Sequence, residues 1–270
     1  MTKSNNPKFR IFIFPLLLLI VVCFMFATPA HFLSPEKPIT AIAAKDTVSH
    51  NGNATAVNRF NVLYDQMNLD SLGLSHEAFN YALQGYMDLV STGALKNDHI
   101  LSIVDFSLPS SKKRLFVIDV MTGKLLFNTL VSHGRGSGKE MATEFSNDVN
   151  SFKSSLGFYV TGNTYSGEHG YSLRLEGQEA GINDHAYDRS IVMHAADYVN
   201  EKVVQAKGFL GRSLGCPAVP PAVHKAIINT IKDGSCLFLY SPDQFYITHS
   251  KLINLADTLQ HDTLQQPVIG

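Results

Sequence analysis

The residues able to do covalent chemistry gather in GRSLGCPAVPP, Gly211 to Pro221, where Cys216 follows Gly215 and Ser213 lies three positions upstream. Earlier in the chain, Ile191-Val192-Met193-His194-Ala195-Ala196 reads as a short buried strand carrying a histidine. A thiol attacks carbonyls as its thiolate, and an imidazole with a pKa of about 6.5 is the base that takes such a proton near neutrality. Gly215 has no Cβ, which predicts room for a substrate carbonyl and backbone donors beside the sulfur. Pro221 is expected to open a helix whose stripe is Ala222, Val223, Ala226, Ile227, Thr230 and Ile231. Cys216 would then stand just outside a helix N-terminus, whose dipole favours thiolate. On residue types alone, an idle loop cysteine and a satisfied core histidine remain the competing description.

The elements that must position this pair come into view along the chain. Two amphipathic helices are predicted first: Val57, Phe60, Tyr64 and Met67 recur at helical spacing, as do Ala78, Phe79, Ala82, Leu83, Tyr86, Leu89 and Val90. Ser75 is placed to cap the second and Gly93 to end it. From His99 the pattern turns to β. Strands are expected over Ile100–Phe106, Arg114–Val120 and Leu125–Val131, the last two joined by a turn at Met121-Thr122-Gly123-Lys124. Others are expected at Gly157–Thr161, Tyr171–Leu175, Ile191–His194 and Cys236–Tyr240. Short strands separated by glycine-rich turns indicate a mainly β fold, a β-sandwich or partial barrel, rather than βαβ units.

The ends of the chain and its charge narrow the class. With 270 residues and a formal net charge of −1, the sequence offers ample length for a core and no basic footprint for nucleic acid. Lys3, Lys8 and Arg10 precede an apolar run from Ile11 to Ala27 and then Thr28-Pro29-Ala30, the layout of a secretory signal or an N-terminal anchor. The expected organisation is an export segment over 1–30, a linker over 31–53, helices over 54–97, a catalytic domain over 98–245 and a tail over 246–270. The expected location is exported, in the periplasm or cell envelope, with membrane contact only through the N-terminal segment. Cys236 lies in an apolar run and reads as a small buried hydrophobe rather than a disulfide partner of Cys216.

The pattern His194…Ser213-x-Gly215-Cys216 resembles the murein L,D-transpeptidase catalytic-domain (YkuD-like) family. The likeness extends to Val131-Ser132-His133-Gly134-Arg135, Phe145-Ser146-Asn147, Ser154-Ser155-Leu156-Gly157-Phe158, Gly170-Tyr171-Ser172-Leu173 and Gly215-Cys216-Pro217-Ala218, and covers about Leu72 to Pro242. The resemblance implies an exported enzyme acting on peptidoglycan stem peptides, with Cys216 as acylated nucleophile and His194 as its base. It implies that a second stem's amine resolves the thioester; water in that role would make the enzyme an L,D-carboxypeptidase. Ser213 is then a hydrogen-bonding support of the Cys216 loop, and backbone N–H groups at Gly215 and Cys216 stabilise the oxyanion. An equivalent His-Gly segment lies near the cleft in that family, which makes His133 either a residue that supports the site from behind or a substrate contact. Arg212, beside the nucleophile, and Arg189 are the cations expected to meet a stem-peptide carboxylate. The chain departs from many relatives at Leu214, where they carry histidine, and at Ala218, where they carry Asn or Arg.

Other chemistries fit less well. His133-Gly134-Arg135-Gly136-Ser137-Gly138-Lys139 is one residue short of a phosphate-binding loop, and Glu140 stands where such a loop needs Ser or Thr. His169, His185 and His194 with Glu168, Asp184 and Asp188 lack the tight spacing of zinc hydrolases. A zinc hydrolase and a non-catalytic wall-binding module are the rival classes. The thiol chemistry itself needs no metal or organic cofactor.

Overall fold

The computed structural model describes residues 62–254, which fall within one of the chain's two compact units, Val48–Gly270. The expected export segment, the linker, and Val57 and Phe60 of the first amphipathic helix lie outside the described residues. The chain is helical over 62–66, with Tyr64 buried. Helix α1, His76–Ser91, begins where Ser75 Oγ accepts the Ala78 N–H at 3.1 Å, satisfying one of the orphan donors of the first turn. It ends at Thr92, after which Gly93 turns the chain at φ +71°. Its buried face is the predicted stripe except for Val90, which is exposed: Ala78, Phe79, Ala82, Leu83, Tyr86 and Leu89. Gly85 lies on that face too, and a Cβ there would reach within 2.2 Å of the Phe158 ring, so the absent side chain sets how closely the helix approaches the sheet.

Eight strands form one sheet: β1 (Ile100–Asp105), β2 (Leu115–Asp119), β3 (Lys124–Thr129), β4 (Gly157–Gly167), β5 (Gly170–Gly177), β6 (Val192–Ala195), β7 (Ala218–Val219) and β8 (Cys236–Tyr240). Three helices interleave with the later strands: α2 (Glu201–Lys207), α3 (His224–Ile231) and α4 (Gln244–His249). The spatial order is β3-β2-β1-β8-β4-β5-β6-β7. β1 pairs with β8, and β6 with β7, in parallel; the remaining neighbours are antiparallel. β1 and β8 are buried along their whole length, as continuous apolar runs in the middle of a covered sheet should be. Beyond β3 the chain hooks onto the far edge. Ser132 N–H donates to Ala218 O at 2.9 Å and Ser213 N–H to His133 O at 3.0 Å, so the sheet nearly closes on itself and little of either edge is left unpaired. The mainly β, partial-barrel architecture expected from sequence is the one that forms.

Three details differ from expectation. The helix after Cys216 starts at His224 rather than Pro221, because residues 221–223 form a turn and β7 intervenes. The seven-residue α2 carries no buried side chain and hence no stripe to reveal it; Asn200 Oδ1 caps it by accepting the Val203 N–H at 2.9 Å, and Gly208 ends it at φ +81°. The boundary expected at 245 falls inside α4. Tyr246 and Ile253 belong to the core, and buried Glu179 accepts hydrogen bonds from Tyr246 Oη, at 3.3 Å, and from Ser250 Oγ.

Candidate active site

The register of β6 and β7 explains how a thiol and an imidazole come to share one opening. His194 lies opposite Ala218 and Ala195 opposite Val219. Run back two residues, that register sets Cys216 against Val192, and side chains two apart on a strand share a face. The Val192 N–H donates to Cys216 Sγ at 3.4 Å, and the thiol lies 3.7 Å from Ser190 O, its acceptor. Cys216 and His194 both line a cavity of about 690 Å³, together with Tyr165, His169, Arg189 and Tyr198. The thiol is half-buried; His194 is nearly covered. His194 is not among the hydrogen-bond partners of Cys216.

The loop ahead of Cys216 is held by a serine that bonds in both directions. Ser213 Oγ donates to Cys216 O at 2.6 Å and accepts the Gly215 N–H at 3.1 Å. Ser154 Oγ adds a second strut, donating to Gly215 O at 3.0 Å while accepting the Gly134 N–H at 3.0 Å. Two expectations for Gly215 need correction here. Its N–H is committed to Ser213 and is not a spare oxyanion donor, which leaves the Cys216 N–H of the expected pair. The space its missing Cβ leaves is crowded as well. Gly215 sits at φ +133°, and a Cβ would come within 2.8 Å of Ile191 Cδ1 and 3.0 Å of Lys153 O. Glycine is required by the turn and by packing, not by substrate approach alone.

The electrostatics favour a neutral pair. His194 Nδ1 lies 2.8 Å from Ala195 O, an acceptor, so Nδ1 carries the proton and Nε2 has the free lone pair. Burial holds this imidazole below its ordinary range; the bond to Ala195 opposes that shift and the charge of His169 adds to it. Burial pushes the Cys216 thiol up, against smaller opposing pulls from the Val192 amide and the Arg189 guanidinium. The net effect disfavours the thiolate expected at a helix N-terminus. The helix begins eight positions beyond Cys216, and desolvation outweighs the nearby positive charge.

The other anticipated residues divide. Arg189 lines the cavity, but its guanidinium is occupied by Ser146 O at 2.8 Å, Lys153 O at 2.6 Å, Ser151 Oγ at 3.3 Å and Ser155 Oγ. It ties the 146–155 segment to the thiol. Arg212 is exposed at the cavity and gives one donor to Gly138 O at 2.8 Å, leaving the others toward solvent. His133 is not at the cleft. It is 0 % exposed, and its Nδ1 accepts from Arg114 Nη2 at 2.8 Å. Arg114 is equally buried and also donates to Val131 O at 3.0 and 3.1 Å and to Leu108 O at 2.9 Å. His133 is thus a strut: its carbonyl receives the Ser213 N–H at 3.0 Å. Cys216 and Cys236 are both free thiols, with Cys236 inside β8. Among the described residues no three His, Cys, Asp or Glu side chains converge as a metal site.

Sequence spacing gave no reason to pair His169 with His194, yet their rings stack with centroids 4.2 Å apart. Tyr198 was passed over as well: it lines the cavity, and the Gly211 N–H bonds to its carbonyl at 3.2 Å. Only the pairing of distant strands brings these residues to the site.

Against known proteins, residues 70–240 match the model of the L,D-transpeptidase catalytic domain family. No curated protein matches the chain. Among solved structures it is similar to an L,D-transpeptidase from Mycobacterium smegmatis, at 13% identity and a TM-score of 0.33 over 53% of this chain and 59% of that one. It is similar to L,D-transpeptidase 3 from Mycobacterium tuberculosis bearing a faropenem-derived adduct, at 12% identity and a TM-score of 0.35 over 53% and 60%. A mutant of the helical cell shape determining protein Pgp2 from Campylobacter jejuni matches at 14% identity and a TM-score of 0.38 over 68% and 65%. The chain spans about three fifths of the length of the first of these, 59%. On the match over 70–240, more than half of its length, this chain belongs to the L,D-transpeptidase catalytic domain family.

Proposed function

We propose that this chain is an exported, cysteine-dependent L,D-transpeptidase that acts on peptidoglycan stem peptides through a thioester on Cys216. What supports it is one cavity lined by a thiol, cradled between Val192 N–H and Ser190 O, and by a neutral imidazole whose Nδ1 is committed to Ala195. With Nδ1 engaged, Nε2 of His194 takes the thiol proton as the sulfur attacks the stem-peptide carbonyl. The Cys216 N–H faces the developing oxyanion; a donor of this kind is worth about 3 kcal/mol in the transition state. Collapse breaks the peptide bond, and the departing D-amino acid takes the proton from His194 and leaves the thioester. The amine of a second stem then attacks, His194 accepts its proton, and the thiol is restored as the cross-link forms. Arg212, with guanidinium donors free, is the cation available to a stem carboxylate. Export is supported by the basic, apolar and small-residue order of the first thirty positions.

Incubation with defined tetrapeptide muropeptides, followed by mass spectrometry of the products, tests this. Loss of one D-alanine with formation of a cross-linked dimer is expected, and neither product from Cys216→Ala. Loss of D-alanine without dimer would assign the carboxypeptidase reaction, and products undiminished in Cys216→Ala would defeat the mechanism.

A further inference from the structure

β4 and β5 form a hairpin whose turn is Glu168-His169, closed by the pair Gly167 and Gly170. Its tip reaches the cavity, where Tyr165, Glu168 and His169 form part of the lining. The His169 ring lies against the face of His194 with centroids 4.2 Å apart and planes 19° from parallel. The hairpin is braced in that position: the Arg174 guanidinium stands over the Tyr165 ring at 4.6 Å and over the Tyr187 ring at 5.3 Å. The backbone of His194 is fixed by β7, and its neighbour Met193 pairs with Leu173 of β5. Its ring has one hydrogen bond, from Nδ1 to Ala195 O. One bond anchors one corner of the ring, and the flat partner on its face adds a second constraint on its plane.

We propose that His169 is a positioning residue for His194, its ring holding the imidazole plane so that Nε2 stays aimed into the cleft. This role rests on His194 being the base for Cys216. The charged and titratable groups that share the cavity with His194 are Tyr165 of β4, Glu168 and His169 from the hairpin turn, Arg189 ahead of β6, Asp197 and Tyr198 after it, and Arg212 and Cys216 ahead of β7. Of these only His169 lies on the ring face. The charge of His169 also acts to lower the His194 imidazole, after the larger effect of burial.

The test compares the wild-type chain with His169→Ala and His169→Phe. Both substitutions fall on an exposed turn residue, and circular dichroism checks the fold. Turnover of tetrapeptide stems is followed across pH, and the His194 imidazole is titrated by NMR in each protein. For His169→Ala we expect kcat to drop about 10-fold with KM within about 2-fold, the scale of a modestly misaligned base. His169→Phe, which keeps a flat ring and lacks the charge, should recover most of that loss. In both variants His194 should titrate at higher pH than in the wild type. Wild-type kcat together with a wild-type His194 titration in His169→Ala would overturn the role, as would a defect confined to KM. If the wild-type chain turns over no stem peptide, the functional reading fails by itself. The NMR arm still decides the stack, since a His194 titration unmoved by His169→Ala, which removes the ring, overturns it.

Discussion

Acidification should loosen the loop beneath the thiol, and His133 sets by how much. Its Nδ1 faces Arg114 Nη2 at 2.8 Å and its Nε2 faces Gly138 O at 3.4 Å. Arginine only donates, so Nδ1 is the acceptor and Nε2 carries the proton. A second proton would have to enter at Nδ1, against a guanidinium and out of reach of water. Burial and the Arg114 charge together hold this imidazole down to about 3, from an ordinary 6.5. In the unfolded chain it titrates at the ordinary value. Between those limits the unfolded state therefore binds a proton that the folded state does not, and stability falls with pH at about 1.4 kcal/mol per unit. By pH 5 the loss from this one group is about 2 kcal/mol, a factor of about 30 in the folding equilibrium. The assay is urea unfolding of wild type and His133→Gln at pH 7.5 and 5.0. Other histidines titrate in both proteins and cancel in the difference. The wild type should lose about 2 kcal/mol more than the variant over that interval. Equal slopes, or a variant altered only in KM, would refute the buried-strut assignment and return His133 to the cleft.

Three further outcomes follow from the same geometry. Ser213→Ala strands the Gly215 N–H and the Cys216 carbonyl; it should cost about 2 kcal/mol in unfolding free energy and lower kcat/KM about 10-fold or more, and an unchanged variant would contradict the loop assignment. Iodoacetamide labelling of Cys216 should keep accelerating as the pH climbs to 9, because burial raises the thiol, while turnover should fall only below pH 6.5, where the depressed His194 gains a proton. A labelling plateau near pH 6 would instead reveal a preformed thiolate–imidazolium pair. Gly215→Ala forces a Cβ onto Ile191 and Lys153 O at positive φ and should lower stability by about 1–3 kcal/mol, read as a drop in melting temperature; an unchanged melting temperature would mean that the loop relaxes freely.

Much of the frame was legible because it rests on local periodicity. The α1 stripe, the Ser75 cap and the apolar runs of β1, β6 and β8 each carry their own signal. What was not legible depends on partners far away in sequence. β7 is two residues long and exists because β6 lies beside it, so Pro221 was read as a helix start where the chain is still leaving the sheet. The parallel pairing of β1 with β8 joins segments from opposite ends of the domain, and no short-range pattern announces it. Arg114 and His133 look like a strand edge and a loop residue by type; only the closure of the barrel buries them together, and burial makes His133 the support rather than the substrate contact. His194 and Cys216 line one cavity, yet the thiol is poised on Val192 and Ser190 rather than on the imidazole. Motif spacing carries residue types and leaves out desolvation, which here pushes the thiol up and holds the imidazole down.

The most direct test is intact-protein mass spectrometry after an acid quench within seconds of mixing the purified chain with a tetrapeptide stem. A mass increase equal to the acyl part of the stem, mapped to Cys216 and released by hydroxylamine as a thioester, is the expected result. A chain that turns over the stem without acquiring that adduct, or acquires it at another residue, would contradict covalent catalysis by this thiol.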